Sequence, residues 1–446
     1  MNFVITRDKP REQALVILRD VEDGVFVDML LDKARESFEA RDSAFLLALV
    51  YGTLRNRARL DWVLNQFSAQ PVEKTDAWTR NILRFGAYQL LFLNRVPASA
   101  AVNTSTELAK TYGKKHRYVN GLLRNLDRKR NTIVEPVFDD PAERLATVYS
   151  HPEWVVRRWL NRFGTELTET LLRANNRDAP LVIRTNTLKT TRDELKAILA
   201  DQGVDAVATV FSDAGLEIIS SPAIRSLEAY REGLFIVQDQ AAQLISLMLS
   251  PKPGETVLDA CAAPGGKVTH LAEIMHNRGT IVALELDTTR LLRIDENSRR
   301  LGCTIVSPTT GDATQYQQGK YDKILIDAPC SGLGVLRRHP DGRWIKSEKT
   351  ILERSAVQRL IIENCARLLN PGGVIVYATC TTELEENEDV ISSFFSLAGK
   401  SFAIDDPRPY LPKPAAGLVD DHGFLHTYPK AVELDGFCAV RMVRKT

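Results

Sequence analysis

The sequence predicts a multidomain chain: an all-α N-terminal domain, a small α+β module, and an α/β domain on a mostly parallel, doubly wound sheet. Three observations carry that expectation. Apolar residues recur at helical spacing through the first part of the chain, with no strand-like alternation before about residue 180. From about residue 237, apolar runs of strand length alternate with helix-period segments, as in a parallel sheet buried on both faces. A chain of 446 residues also exceeds what one ordinary core accommodates.

The helical part, residues 1–143, rests on "PREQALVILRDVEDG", "RDSAFLLALVYGTLRNRARLDWVLNQF", "DAWTRNILRFGAYQLLFL" and the spacing around 98–113. Each places apolar residues at i, i+3, i+4 and i+7. Arg41, Asp42 and Ser43 offer a helix start, and Pro97 separates two helices. The stretch "NTIVEPVFDDPAERL", with Pro136, Asp139, Asp140 and Pro141, reads as a linker.

Residues 144–236 then give helices ("PEWVVRRWLNRFG", "ELTETLLRANN"), the strand "LVIRTNT", the helix "TRDELKAILADQG" and the β-rich "AVATVFSDAGLEII". Residues 237–446 read as strands "TVLDACAAPGGK", "GTIVALELD", "CTIVSPTTGD", "YDKILIDAPC" and "GGVIVYATC". Helical crossovers such as "VTHLAEIMHN", "TRLLRIDENSRRLG" and "VQRLIIENCARLLNPGG" lie between most of them.

Composition is that of a globular protein, 44% hydrophobic and 26% charged, with net charge +1. No apolar run approaches the ~18–20 residues of a membrane span, so no membrane association is expected. The charged N-terminus shows no signal peptide. The six cysteines form no C-x-x-C or Cys/His zinc spacing, so no metal is expected, and they read as reduced thiols of a cytoplasmic protein. Charge is uneven: "KTYGKKHRYVNGLLRNLDRKR" (110–130) holds eight Lys/Arg against Asp127. Such an edge is a footprint for phosphate or an ordinary solvated helix face, and composition alone does not choose.

In a doubly wound sheet ligands bind beyond the carboxyl ends of the strands. The unusual residues collect there: the loop "DACAAPGGK", Glu285, Asp312, Asp327, Cys330 and Cys380. The loop lacks the spacing of a P-loop or a dinucleotide fingerprint, yet its small residues let a ligand approach the backbone. Carboxylates at successive strand ends suit ribose hydroxyls, an amine and a positive centre, and repel phosphates. That combination points to S-adenosylmethionine. A strand-end Asp that caps the next helix is the plainer reading of any one of them. Cys380 at a strand tip before "TTELEENE" is expected near a helix N-terminus, which favours thiolate. Glu383, Glu385, Glu386 and Glu388 are expected to complement that helix start, and Cys303, Cys365 and Cys438 to fill core space.

Together, "DACAAPGGK", "DAPCSGLG", "RRHPDGRW" and "YATCTTELEENE" resemble, in order, the motif set of the Nol/Nop/Sun family of RNA cytosine-C5 methyltransferases. "YGTLR", "ILRFGAYQLLFL", "AVNTSTELAK" and "YVNGLLRNL" resemble the helices of a NusB-like domain. The resemblance covers nearly the whole chain and is weakest over 144–236. It implies a NusB-like RNA-binding domain, an RRM-like subdomain and a Rossmann-like class I methyltransferase domain. It also implies a monomer whose partner is 16S ribosomal RNA, in an unassembled or partly assembled small subunit.

Carried over by position, the resemblance gives Cys380 as nucleophile and Cys330 as the residue aiding release. Asp327 would lie beside cofactor and cytosine, with Lys267 orienting them. Cys261, Ala262, Ala263, Pro264, Gly265, Gly266 and Lys267 would form the cofactor loop, Glu285 would bind the ribose and Asp312 the adenine. Thiolate addition at C6 makes C5 nucleophilic, and a hydrogen bond at N3 absorbs the developing charge. Either Cys330 or a water would take the C5 proton. The basic Arg337, Arg338, His339, Arg343 and Lys346 are expected as phosphate contacts to a looped or flipped base. Two other readings stay open: methylation of tRNA or another RNA, and a non-catalytic RNA-binding or antitermination factor.

Overall fold

Residues 8–446, apart from 36, 136, 221–222 and 430–433, are described by a computed structural model. Contacts divide the chain into two compact units. One runs through Asp178 and takes in Leu336–Ser347; the other comprises Ala179–Val335 and Glu348–Thr446.

The first unit is helical, as its periodicity dictates. Its main helices are Lys9–Glu22, Ala40–Arg55, Arg57–Asn65, Ala77–Phe92, Ala98–Leu108 and His116–Lys129. Local chemistry sets their ends. Asp8 caps the first, accepting from the Arg11 N–H, and Asp76 caps Ala77–Phe92 through the Thr79 N–H at 2.9 Å. Their apolar stripes, among them Leu15, Leu18, Leu49, Ile82, Phe85 and Leu123, form one core. Buried within it, Arg84 makes a two-pronged ion pair with Asp61 (Nε and Nη2, both 2.7 Å) and reaches Glu22 at 2.5 Å.

Two expectations about this unit need correction. The "DDPAERL" end of the expected linker starts a helix, Pro141–Val148: the Asp140 carboxylate accepts from the Ala142 N–H, and proline fits the first turn. Pro136 lies outside the described residues. The helix Glu153–Asn175, expected in the 144–236 module, groups by its contacts with this unit, which runs to Asp178.

The second correction concerns "RRHPDGRW". Arg343 is fully buried in the first unit, donating to the carbonyls of Ser150 (3.1 Å) and Asn175 (2.6 Å) and to Asn176 Oδ1 (2.7 Å). Arg337 is 2% exposed. Neither can meet a phosphate; both guanidiniums are structural. Trp344 Nε1 donates to the Leu54 carbonyl at 2.8 Å, and the Asp341 carboxylate accepts from the Val27 N–H.

The second unit carries two sheets. The smaller is antiparallel, order β2-β3-β1-β4, from β1 (Leu181–Thr185), β2 (Ala206–Ala208), β3 (Gly215–Ile218) and β4 (Phe235–Val237). The larger runs β10-β12-β9-β8-β5-β6-β7. Its strands are β5 (Thr256–Asp259), β6 (Thr280–Glu285), β7 (Val306–Thr310), β8 (Tyr321–Asp327), β9 (Leu369–Thr379), β10 (Phe402–Ile404) and β12 (Phe437–Arg444), while β11 (Phe424–Thr427) pairs with β12. Strands β7, β6, β5, β8 and β9 are parallel; β12 lies antiparallel to β9, and β10 pairs antiparallel with β12 at the edge. Val257, Ile281, Leu325 and Val376 feed the core on one side of this sheet, Leu258, Ile324, Ile326 and Ile375 the core on the other. Burial on both faces is why these strands read as unbroken apolar runs. The chain winds outward from β5 through β6 and β7, then returns to β8, so strand order reverses between β5 and β8. Among the described residues no helix is long and apolar enough to cross a membrane.

Candidate active site at the strand-order switch

The switch point of an open α/β sheet opens a crevice at its carboxyl edge. Here that edge carries Asp259 at the end of β5 and Asp327 at the end of β8. Between them comes Lys267, from the helix Gly266–Ile274 that follows β5; its Nζ donates to Asp327 Oδ2 at 2.5 Å. Burial opposes the lysine's charge, but Asp327 holds its pKa above the ordinary value. Asp259 is fully buried, and neither carboxylate oxygen has a side-chain or ligand partner. Burial, aided by the Asp327 charge and opposed by Lys267, pushes it up to about 7.

The loop between β5 and the helix is tightly held. The Ala262 N–H donates to the Leu284 carbonyl, while the carbonyls of Ala263 and Pro264 accept from Arg290 and Asn297. Gly265 has φ +103°, and a Cβ there would come within 3.3 Å of Ile294 Cα, so glycine is required twice over. The wall of the loop comes from the smaller sheet. Arg184 of β1, fully buried, donates to the Gly266 carbonyl (2.6 Å) and to both oxygens of Glu273 (2.7 and 3.1 Å).

Glu285 ends β6 and is 6% exposed, with Arg290 Nη1 at 3.5 Å. Asp312 follows β7, and its Oδ1 is taken by the Thr314 N–H (2.9 Å) and hydroxyl (2.7 Å) within a turn; among the described residues no helix lies between β7 and β8 for it to cap. Cys261 is no nucleophile: burial first, then neighbouring Cys365 and acidic groups, pushes its thiol well up. Cys303, Cys365 and Cys438 are buried in the cores, as expected.

The two remaining cysteines meet. Cys330 follows β8 and Cys380 follows β9, adjacent parallel strands, and their sulfurs lie 3.2 Å apart. The bond to Cys380 and burial push the Cys330 thiol well above its ordinary value, so Cys330 keeps its proton. Lys267 stands close enough to Cys380 for the two charges to interact. The loops bearing the cysteines are knitted together. The Gly334 N–H donates to the Cys380 carbonyl at 3.0 Å, and a Cβ on Gly334 would strike the Gly436 carbonyl oxygen at 2.1 Å. Fully buried Glu386 accepts from the Ser331 N–H (2.8 Å) and Gln358 Nε2 (3.0 Å).

Two expectations fail here. Glu386 buttresses the Cys330 loop instead of serving a helix start. The α-helix itself begins at Glu388, eight residues beyond Cys380, so it does not start at the sulfur; a positive charge that does interact with Cys380 is Lys267. Residues 381–383 between them are non-helical and buried. Asp259, Arg184 and Glu386 were not singled out from sequence as site residues. A charged residue inside the apolar run "LVIRT" was the available signal for Arg184.

Comparison with known proteins agrees with this architecture. Residues 246–442 match the family model described as 16S rRNA methyltransferase RsmB/F, residues 8–128 the NusB family, and residues 151–225 the RsmF/B-like ferredoxin-like domain. The chain is 35% identical over 445 residues to a probable ribosomal RNA small subunit methyltransferase B of Bacillus subtilis, covering 98% of each. It is 32% identical to the ribosomal RNA small subunit methyltransferase B of Salmonella agona, covering 95% of this chain and 96% of that one. Among solved structures, that of PH0851 superposes with TM-score 0.80 at 30% identity, over 99% of this chain and 100% of the other.

Proposed function

This chain belongs to the 16S rRNA methyltransferase RsmB/F family, and from that membership we propose that it methylates C5 of a cytosine in 16S ribosomal RNA, with S-adenosylmethionine as donor. The observation that carries the cytosine-C5 reading is the thiol pair: two sulfurs 3.2 Å apart at a crevice that also holds Lys267 and Asp327.

The crevice fits the proposed donor. A ligand bearing an ammonium and a sulfonium suits a rim lined by Asp259, Glu285 and Asp327, and Asp259 has two buried oxygens to offer. Residues 261–267 would hold the methionine and ribose, Glu285 the ribose diol, and Asp312 the adenine through Oδ2, on which Gln315 Nε2 now rests at 3.3 Å. When bound, the cofactor supplies an electrophilic methyl group.

The chain's own residues do the rest. Cys380 adds through sulfur to C6, which makes C5 electron-rich. A proton or hydrogen bond passed to N3 through Asp327, with Lys267 as the neighbouring cation and donor, would absorb the charge gathering there. Lys267 favours the Cys380 thiolate. Cys330, beside Cys380, aids release of the expelled sulfur; the C5 proton goes to a water, or to Cys330 once it has given up the proton it holds in the resting site. The RNA reading draws support from the helix His116–Lys129, whose apolar residues Val119, Leu122, Leu123 and Leu126 are buried while Lys115, Arg117, Arg124, Arg128 and Lys129 face solvent.

The test is methyl transfer to a 16S transcript. Cys380→Ala is expected to abolish it while calorimetric binding of S-adenosylmethionine survives, and Cys330→Ala to leave a denaturant-resistant enzyme–RNA band. Turnover by Cys380→Ala would overturn the nucleophile assignment. A bisulfite map of rRNA and tRNA from a strain lacking the protein separates 16S rRNA from other RNA substrates.

A further inference from the structure

Away from the thiol pair, the helical unit contains a cavity of about 500 Å³ whose wall includes Arg19, Glu22, Asp23, Arg57, Arg80 and Trp344. Its charges do not balance. Arg80 donates to Glu22 (2.8 and 3.2 Å) and to the carbonyls of Glu73 and Thr75. Behind it, Arg84 is taken up by Asp61 and Glu22, and Arg19 pairs with Asp23. Four guanidiniums therefore meet three carboxylates, and the one left over is Arg57.

The guanidinium of Arg57 stacks over the Trp344 ring at 5.0 Å and makes no hydrogen bond or ion pair among the described residues. Burial, with the charge of Arg84 adding to it, lowers its pKa to about 10, so it is a cation held at a cost and still charged at neutral pH. Ala77, the first residue of the helix Ala77–Phe92, also lines the cavity; the Thr79 N–H of that first turn is already taken by Asp76, so the cation the site offers is Arg57. A stacked arginine is a planar donor that suits an oxyanion.

The geometry points to a phosphodiester-binding site: the cavity seats a backbone phosphate of the RNA substrate, with Arg57 as its charge partner. This rests on the RNA-methyltransferase reading and adds to it a contact distinct from both the thiol pair and the exposed basic helix. Trp344 belongs to the segment Leu336–Ser347, so the site exists only because that segment packs with the N-terminal helices.

Two variants test it, each compared with wild type by fluorescence anisotropy on a 16S rRNA fragment across a salt series. Arg57→Gln removes the cation. Ala77→Glu puts a carboxylate at the cavity wall, at a first-turn helix position where an acid is favourable to folding. Each is expected to weaken RNA binding roughly 5- to 30-fold and to lower the salt slope by about one phosphate. Arg57→Lys should recover part of the loss, while cofactor affinity, thermal midpoint and turnover at saturating RNA stay at wild-type values. Wild-type affinity and slope in both variants would overturn the site while leaving the RNA reading intact. A wild-type protein that binds no RNA would overturn both.

Discussion

Each unit buries a cluster of charges, and the two clusters are built differently. In the helical unit, Arg84 is matched atom for atom: Asp61 takes two of its nitrogens and Glu22 a third. In the sheet unit, Lys267 serves Asp327, while Asp259 lies fully buried with both oxygens lacking a side-chain or ligand partner. A group saturated like Arg84 fixes a core and has nothing to give a ligand, and in the helical unit only its neighbour Arg57 is left over in that cluster. An unsaturated one stores free energy that a ligand or a reacting base can release. The contrast separates structural charge from functional charge without reference to sequence motifs.

The comparison breaks most visibly at Lys267. Lys267→Met should lower turnover on RNA roughly 10²–10⁴-fold, since it removes the charge that holds Asp327 and favours the Cys380 thiolate. Stability should change far less, because the buried Asp259 can hold a proton; steady-state kinetics beside a denaturation curve checks both. The matched network should do the opposite. Arg84→Met leaves the buried Asp61 carboxylate without its ion pair, while Glu22 keeps Arg80, and is expected to cost about 3–5 kcal/mol in urea unfolding, with catalysis by the surviving folded protein unchanged. A loss under about 1 kcal/mol would mean that the network is not the brace it resembles.

The smallest effect is a pH dependence. Asp259 keeps its proton up to about pH 7 in the folded chain, whereas a carboxyl in the unfolded chain loses it near 4. The folded state therefore binds more protons across that window, and stability must fall as pH rises through it. Asp259→Asn should flatten this contribution, narrowing the difference in unfolding free energy between pH 5 and pH 8 by roughly 2–4 kcal/mol in the ligand-free protein. An unchanged difference would mean that Asp259 finds a partner in solution.

Much of the fold could be read in advance because it is locally encoded. The apolar runs of β5, β8 and β9, and the 3.6-residue periodicity of the helices, are properties of neighbouring residues. Strand ends could be named for the same reason, and with them Asp327, Cys330, Glu285, Asp312 and Cys380. The misreadings were about partners. Arg343 in "RRHPDGRW" has the composition of a phosphate-binding arginine, yet its donors end on the carbonyls of Ser150 and Asn175. Glu386 looked like a helix-start acid and instead holds the Ser331 amide. "DDPAERL" looked like a linker because Asp and Pro mark turns and helix starts alike.

By itself the sequence determined the class of each unit, the parallel sheet and the placing of two cysteines after adjacent strands, since periodicity and chain connectivity are local facts. Only the tertiary structure decided that those sulfurs lie 3.2 Å apart, that Lys267 spans the switch between β5 and β8, and that Arg57 is the guanidinium left unmatched. Charge and reactivity depend on what a group faces once water is removed, and that is settled by elements far apart in the chain.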